Sequence, residues 1–373
     1  MTSTTVNSSN VVTRWQKKVN KEYVRGGRFG QYTGKTENAI IQIKEDLKKV
    51  SIPLVGKLTG NGVSGSSSLA GNEQALSNYA FELTPTYYRN GVLIDNEENE
   101  KSEFELLDEA RPSLMNWGME LKRDQIIQAL GAVQAGGVYL NYGTATAGNL
   151  DTWNTNNQDR ILYGAAKSNL TAGNHTTSLN TLDSSADKLS PEMISLAKRM
   201  AMNAAPLIRP VMLKEDEPWF VYFCDSFGFR DLSANATMTA ANRDARVRGE
   251  SNPLFSGGDL LWDGVIIKEV PDIGKFIDGD GTGSAFDGVW GANSTADSLK
   301  IGANGSRAGV GFLCGAQAVG FGLGRMPEFK RRKEDDYEHQ NGVGISMKHD
   351  IKKMFYNNKQ HGMVTNFYYA AAD

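Results

Sequence analysis

Cysteine is nearly absent: two in 373 residues, Cys224 and Cys314. They lie far apart, each inside an apolar run (WFVYFCDSF and VGFLCGAQAV), so they read as small buried hydrophobes rather than as a disulfide. With no Cys-x-x-Cys, no zinc ligand set can be built from thiolates. Histidine is almost as scarce. None of His175, His339, His349 and His361 stands four positions from another or belongs to an H-E-x-x-H pattern, so each reads as a surface or hydrogen-bonding residue. His349 and His361, with charged neighbours, are expected to be solvated. No G-x-S-x-G elbow is present. The sequence therefore assigns no catalytic residue, no cofactor and no metal, and the expectation is a protein that is not an enzyme. No run approaches the ~20 apolar residues of a membrane span, and the first residues lack an apolar signal core. The expectation is a soluble chain made in a cytoplasm, with no membrane partner. Basic excess is missing too. Forty Lys and Arg against 43 Asp and Glu give a formal net charge of −3, which argues against sequence-specific DNA binding.

Glycine is abundant, 40 residues against 10 prolines, and predicts many loops and turns. Gly60-Asn61-Gly62-Val63-Ser64-Gly65 satisfies the spacing of a dinucleotide-binding loop. The third glycine of such a loop opens a helix whose N-terminus meets the pyrophosphate. Here Ser66, Ser67 and Ser68 follow, then Gly71, a composition poor in helix formers. Strand signals flank the stretch, in Val50–Leu58 on one side and NYAFELTPTYYRNGVLID on the other, with a turn expected at Asn90-Gly91. The reading is a long hairpin with a flexible tip. Gly34-Lys35-Thr36 lacks the first glycine of a phosphate-binding loop, since residue 29 is Phe29, and reads as a turn in an extended arm. Asp278-Gly279-Asp280 begins like a calcium loop, but the twelfth position is Val289.

Residues 1–20 are polar and read as an arm that orders only against something else. The stretch 21–36 mixes aromatics with Gly and Arg and reads as extended. Residues 102–133 carry Phe104, Leu107, Ala110, Leu114, Trp117, Leu121, Ile127 and Leu130 in steps of three and four, the stripe of an amphipathic helix. Pro112 predicts a kink, or a short helix preceding a longer one from residue 112. Ser190-Pro191-Glu192 marks a second helix start. PWFVYFCDSFGF, LWDGVIIKEV and GVGFLCGAQAVGFGLG read as buried strands, and the stretch from Gly342 onward as two or three more. Lys330-Arg331-Arg332-Lys333, followed by Asp335-Asp336, reads as a locally compensated charged surface. The fold class is α+β.

Four segments, in order, resemble a known family: VYFCDSFGFRDLSAN, NPLFSGGDLLWDGVIIKEV, FLCGAQAVGFGLG and DIKKMFYNNKQHGMVTNFYYAAA. They are similar to the tailed-phage major capsid proteins of the HK97-type fold, especially the N4-like podophage members. Gln360-His361-Gly362 departs from an Asp-Phe-Gly frequent there. The resemblance implies an N-terminal arm (1–48), an extended hairpin or E-loop (49–100), a peripheral domain with a spine helix (101–204), an axial domain (205–320) and return strands of the peripheral domain (321–373). It implies self-assembly into hexamers and pentamers of an icosahedral head enclosing double-stranded DNA that is touched without sequence reading. Its further partners would be a separate scaffolding protein, a portal and a decoration protein. Contacts between copies are expected at Trp15, Tyr23, Phe29, Tyr32, Gly62, Gly65 and Leu69. The alternatives are an encapsulin-like non-viral shell, or an enzyme with an unrecognised site.

Overall fold

The computed structural model describes residues 27–46, 48–58, 60, 62–66, 68–95, 106–182, 185–214, 217–246, 260–276, 300–301, 306–332 and 340–370. In chain order the principal strands are β1 (Ile41–Glu45), β2 (Val50–Val55), β3 (Asn78–Leu83), β4 (Thr86–Asp95), β5 (Ile161–Tyr163), β6 (Glu217–Cys224), β7 (Val265–Glu269), β8 (Ser306–Cys314), β9 (Val319–Arg331), β10 (Gln340–Lys353) and β11 (Met363–Ala370). The helices are α1 (Leu106–Gly131), α2 (Ala147–Asn156), α3 (His175–Asn180), α4 (Pro191–Asn203), α5 (Ser226–Ala234) and α6 (Ala236–Arg246). The described residues form two compact units. A smaller one holds 87–121 and 326–348; a larger one holds 27–86, 122–325 and the residues from 349 onward. The class is α+β, as expected.

The centre of the larger unit is a sheet in the order Leu260–Trp262, β7, β6, β8, β11, β5. Its strands are apolar on both faces. On β6, Val221 and Phe223 enter one core with Phe29, Trp153 and Phe367, whereas Phe220, Tyr222 and Cys224 enter a second with α4 and Tyr368. Two-sided burial explains why these strands read as unbroken apolar runs rather than as alternation. Each large side chain so buried contributes about 1.5–3 kcal/mol.

Glycine in β8 is a packing device rather than the turn signal its abundance suggests. A Cβ at Gly309 would fall on the ring of Tyr368, and one at Gly311 on the hydroxyl of Tyr222. The missing side chains are the space those rings occupy. Helix α4 starts where its signals stand: Ser190 accepts a hydrogen bond from the Met193 N–H, Pro191 fills the first position and Glu192 the first turn. DSFGF, read as strand and turn, is instead the start of α5, because Asp225 caps it by accepting the Gly228 N–H at 2.7 Å.

In the smaller unit, Leu114, Trp117 and Leu121 of α1 pack on Val343, Ile345 and Met347 of β10, Tyr88 of β4 and Phe329 of β9. The helix runs on through Pro112 as one element, rather than as a short helix followed by a longer one. Pro112 lies on its exposed side, where water can take up a carbonyl left without its N–H partner. The turn expected at Asn90-Gly91 is absent too. β4 continues through it, and Gly91 lets the strand lie close to β10: a Cβ there would stand 3.4 Å from the Val343 carbonyl oxygen.

The pairings cut across boundaries drawn along the sequence. Residues 33–45, placed in the arm, form Thr33–Gly34 and β1, which pairs with β9 in parallel register. β11, grouped with return strands, lies between β8 and β5 in the large sheet. Sheet partners are chosen by matching apolar faces, and sequence distance does not enter.

Candidate assembly surface

β2 and β3 form an antiparallel hairpin registered from Val50↔Leu83 to Val55↔Asn78. Its base is anchored, with Val50, Ile52, Phe81 and Leu83 buried in the core of the larger unit. At the strand end and in the loop beyond it, apolar side chains stand in solvent. Val55, Leu58 and Leu76 are each more than half exposed, and Leu69 is 63 % exposed. Large apolar side chains left in solvent gain a monomer nothing, and where they gather they mark an interaction site. The tip bends at glycines in the left-handed region, with φ of +66° at Gly62 and +68° at Gly65, and no other group lies within 4 Å of a Cβ at either.

The residues expected to contact neighbours do not form one group. Gly62, Gly65 and Leu69 are in the tip. Phe29 requires correction: it is 2 % exposed, its ring 5.1 Å from that of Phe223, so its surface is spent in its own subunit's core. Tyr32 is half-buried against the same Phe223 ring at 5.7 Å, with the Lys268 ammonium 5.8 Å from its own. Trp15 and Tyr23 lie outside the described residues, as do His339 and the Asp278 stretch. Leu58, Leu76 and Val55 were missed in the sequence. Their signal was present, as single large hydrophobes spaced through a Gly/Ser-rich tip that needs none for folding.

Among the described residues, the strongly perturbed titratable groups are mostly interior. His175 lies between two tyrosine hydroxyls, Nε2 at 2.7 Å from Tyr142 and Nδ1 at 2.6 Å from Tyr163, which also accepts from Asn154. Burial pushes its pKa down to about 3, so the ring is neutral. His349 is buried rather than solvated, 2.6 Å from Gln125 Oε1, and burial followed by the Lys122 charge lowers it to about 4. His361, largely covered beside Tyr356, is lowered to about 4 by burial and then by Arg160. His349 and His361 look solvated in the sequence because charged residues stand near them in chain, yet strand alternation turns His349 inward and the connection before β11 sets His361 against Tyr356. Lys353 is buried, its Nζ donating to the Ala132 carbonyl just past α1, and burial lowers it to about 7. Cys224 and Cys314 are buried, as expected. Among the described residues no group of three or more His, Cys, Asp or Glu side chains could hold a metal, and no helix is long and apolar enough to cross a membrane.

What remains is a subunit whose conspicuous surface is an apolar hairpin tip. Residues 3–368 match the family model described as phage capsid protein. The chain belongs to the phage capsid protein family. Solved phage capsids share the fold. The capsid subunit of cyanophage Pam1 is 33 % identical over the whole of both chains with a TM-score of 0.87. That of the Helicobacter pylori bacteriophage KHP30 shares the fold at 14 % identity, covering 97 % of each chain with a TM-score of 0.71. The major capsid protein of Pseudomonas phage KPP25 is 24 % identical over 337 residues, 85 % of this chain and 82 % of its own. Family membership makes this an HK97-type major capsid protein, a structural part of the phage head. The non-viral shell and the enzyme find no support.

Proposed function

We propose that this subunit assembles with copies of itself into hexamers and pentamers of an icosahedral head around double-stranded DNA, and that it does so without catalysis. The hairpin β2–β3 acts as the extended loop, laid over an adjacent subunit. The observation that supports this most is the exposure of Leu58, Leu69 and Leu76 on an anchored, glycine-jointed hairpin. Burying these side chains against a neighbour recovers about 1.5–3 kcal/mol each, and repetition around a closed shell multiplies a small contact into a stable particle. Left-handed glycines let one sequence meet the different neighbours of pentamers and hexamers. Residues before Gly27, with Trp15 and Tyr23, form an arm across another copy. A near-neutral chain suits contact with packaged DNA through its backbone alone. A separate scaffolding chain, a portal and a decoration protein complete the head, and synthesis takes place in the host cytoplasm.

The test is assembly. Purified protein, alone or with the scaffold encoded beside it, should give capsomers on size-exclusion chromatography and shells by negative-stain microscopy. A persistent monomer under both conditions would remove the reading.

A further inference from the structure

Among the described residues, a helix covers the sheet of the smaller unit on one face only. Phe329, Tyr88, Val343, Ile345 and Met347 point toward α1. Strand alternation therefore turns Lys330 and Arg332 of β9, Gly342 and Gly344 of β10, and Gly91 and Leu93 of β4 to the opposite face. The contacts agree: a Cβ at Gly342 would lie 3.2 Å from the Cβ of Arg332 and 3.5 Å from a methyl of Leu93. On this face lies a groove of about 350 Å³ lined by Gly91, Val92, Leu93, Lys330–Arg332 and Gly342–Gly344. Three glycines lower its floor, Leu93 makes it apolar, and Lys330 and Arg332 stand at one rim. Lys330 pairs with Glu328 at 3.7 Å, and both are exposed.

A floor of this kind accepts an extended peptide, and its rim selects carboxylates. Phosphates of a duplex need protruding cations but gain nothing from a glycine-lined apolar trough. The arm does not fit, since Arg14, Lys17, Lys18, Lys21 and Arg25 against Glu22 give it the same sign as the rim. Residues 96–105, NEENEKSEFE, do fit: five glutamates against one lysine, with Phe104 as the apolar side chain. In its own chain this stretch joins β4 to α1, which packs on the other face of the sheet.

The geometry points to the groove as the seat of the acidic segment 96–105 of a second copy of this chain. The proposal rests on the assembly reading and adds to it a charged contact between smaller units, separate from the hairpin. The glutamates meet Lys330 and Arg332, and Phe104 meets the floor.

Charge exchange tests it. One variant carries Lys330→Glu with Arg332→Glu; a second carries Glu97→Lys, Glu98→Lys and Glu100→Lys. Both should keep wild-type circular dichroism, which separates lost assembly from misfolding; Lys330 and Arg332 are exposed. Each variant should lower shell yield at least tenfold. Mixing the two subunits should restore shells, because the acidified groove of one then meets the basic segment of the other. Rescue only when all five changes share one chain would place the segment in its own subunit and overturn the proposal. Wild-type yield from both variants would overturn it too. So would normal assembly with loss of retention of a 30-base-pair duplex, which would make the groove a nucleic-acid surface. Failure of the wild-type chain to form capsomers would instead remove the assembly reading itself, and the proposal with it.

Discussion

The hydroxyl of Tyr368 donates to Oδ1 of Asp225 at 2.5 Å, joining residues 143 positions apart inside the second core of the larger unit. The same oxygen accepts the Gly228 N–H at 2.7 Å, while Oδ2 is buried with no hydrogen-bond partner. One carboxylate thus caps α5 and ties it to β11.

Burial pushes the Asp225 carboxyl up to about 6, against the pull of its two hydrogen bonds. A raised pKa favours the neutral form in the folded state. Its stabilising contribution is complete below the ordinary value of 3.8 and is lost as pH rises through about 6. Asp225→Asn keeps the cap and removes the charge, so its stability relative to wild type should climb by about 3 kcal/mol between pH 4 and pH 7. Urea unfolding at both pH values measures this, and identical pH dependence in the two proteins would contradict it.

The buried histidines act in the opposite sense. Their lowered pKa values keep the folded rings neutral while the unfolded chain takes up protons. Stability present above pH 6.5 is therefore lost as pH falls toward about 4 for His349 and His361 and about 3 for His175. His349→Gln retains a polar partner for Gln125 and removes the proton. Its loss of stability from pH 7 to pH 4 should be smaller than that of wild type by about 3 kcal/mol, read from urea midpoints.

Gly309→Ala puts a methyl where the Tyr368 ring lies. The expected cost is about 1–3 kcal/mol from overpacking, with a matching fall in Tm. Gly30→Ala is the control: nothing lies within 4 Å of its Cβ position, and its effect should stay within about 0.5 kcal/mol.

Gly62→Val with Gly65→Val forces β-branched residues into left-handed backbone, at about 1–2 kcal/mol each. The strain falls on a tip outside the cores, so the subunit should remain folded by circular dichroism while shell yield drops. Wild-type yield in sedimentation would show that the tip needs no such joints.

The sequence displayed whatever depends on neighbours in chain. The Ser190 cap with Pro191, the stripe Leu114–Trp117–Leu121 and the apolar runs of β6 and β8 each carry their reason within a few residues. What it concealed was set across the chain. The Asn90-Gly91 pair has the composition of a turn, but the β10 backbone beside it makes it a strand. Phe29 looks like a sticky arm residue until Phe223 is placed next to it. The cap at Asp225 could have been read from Asp-Ser-Phe-Gly, yet aromatic density outweighed it. The surface was the least legible part. A leucine on a hairpin tip and a leucine in a core are the same letter, and only the fold says which one faces water.

The last of the described strands, Met363–Ala370, occupies an interior place in the large sheet, hydrogen-bonded to β8 on one side and β5 on the other. Until the ribosome has delivered it, both neighbours have an open edge and the two cores lack Phe367 and Tyr368. A nascent or prematurely ended chain is therefore no near-native subunit with a frayed tail; it lacks the strand that joins its halves. Without this strand both neighbours present unpaired edges, which are templates for pairing with another chain, so its seating also guards the subunit against the wrong kind of association.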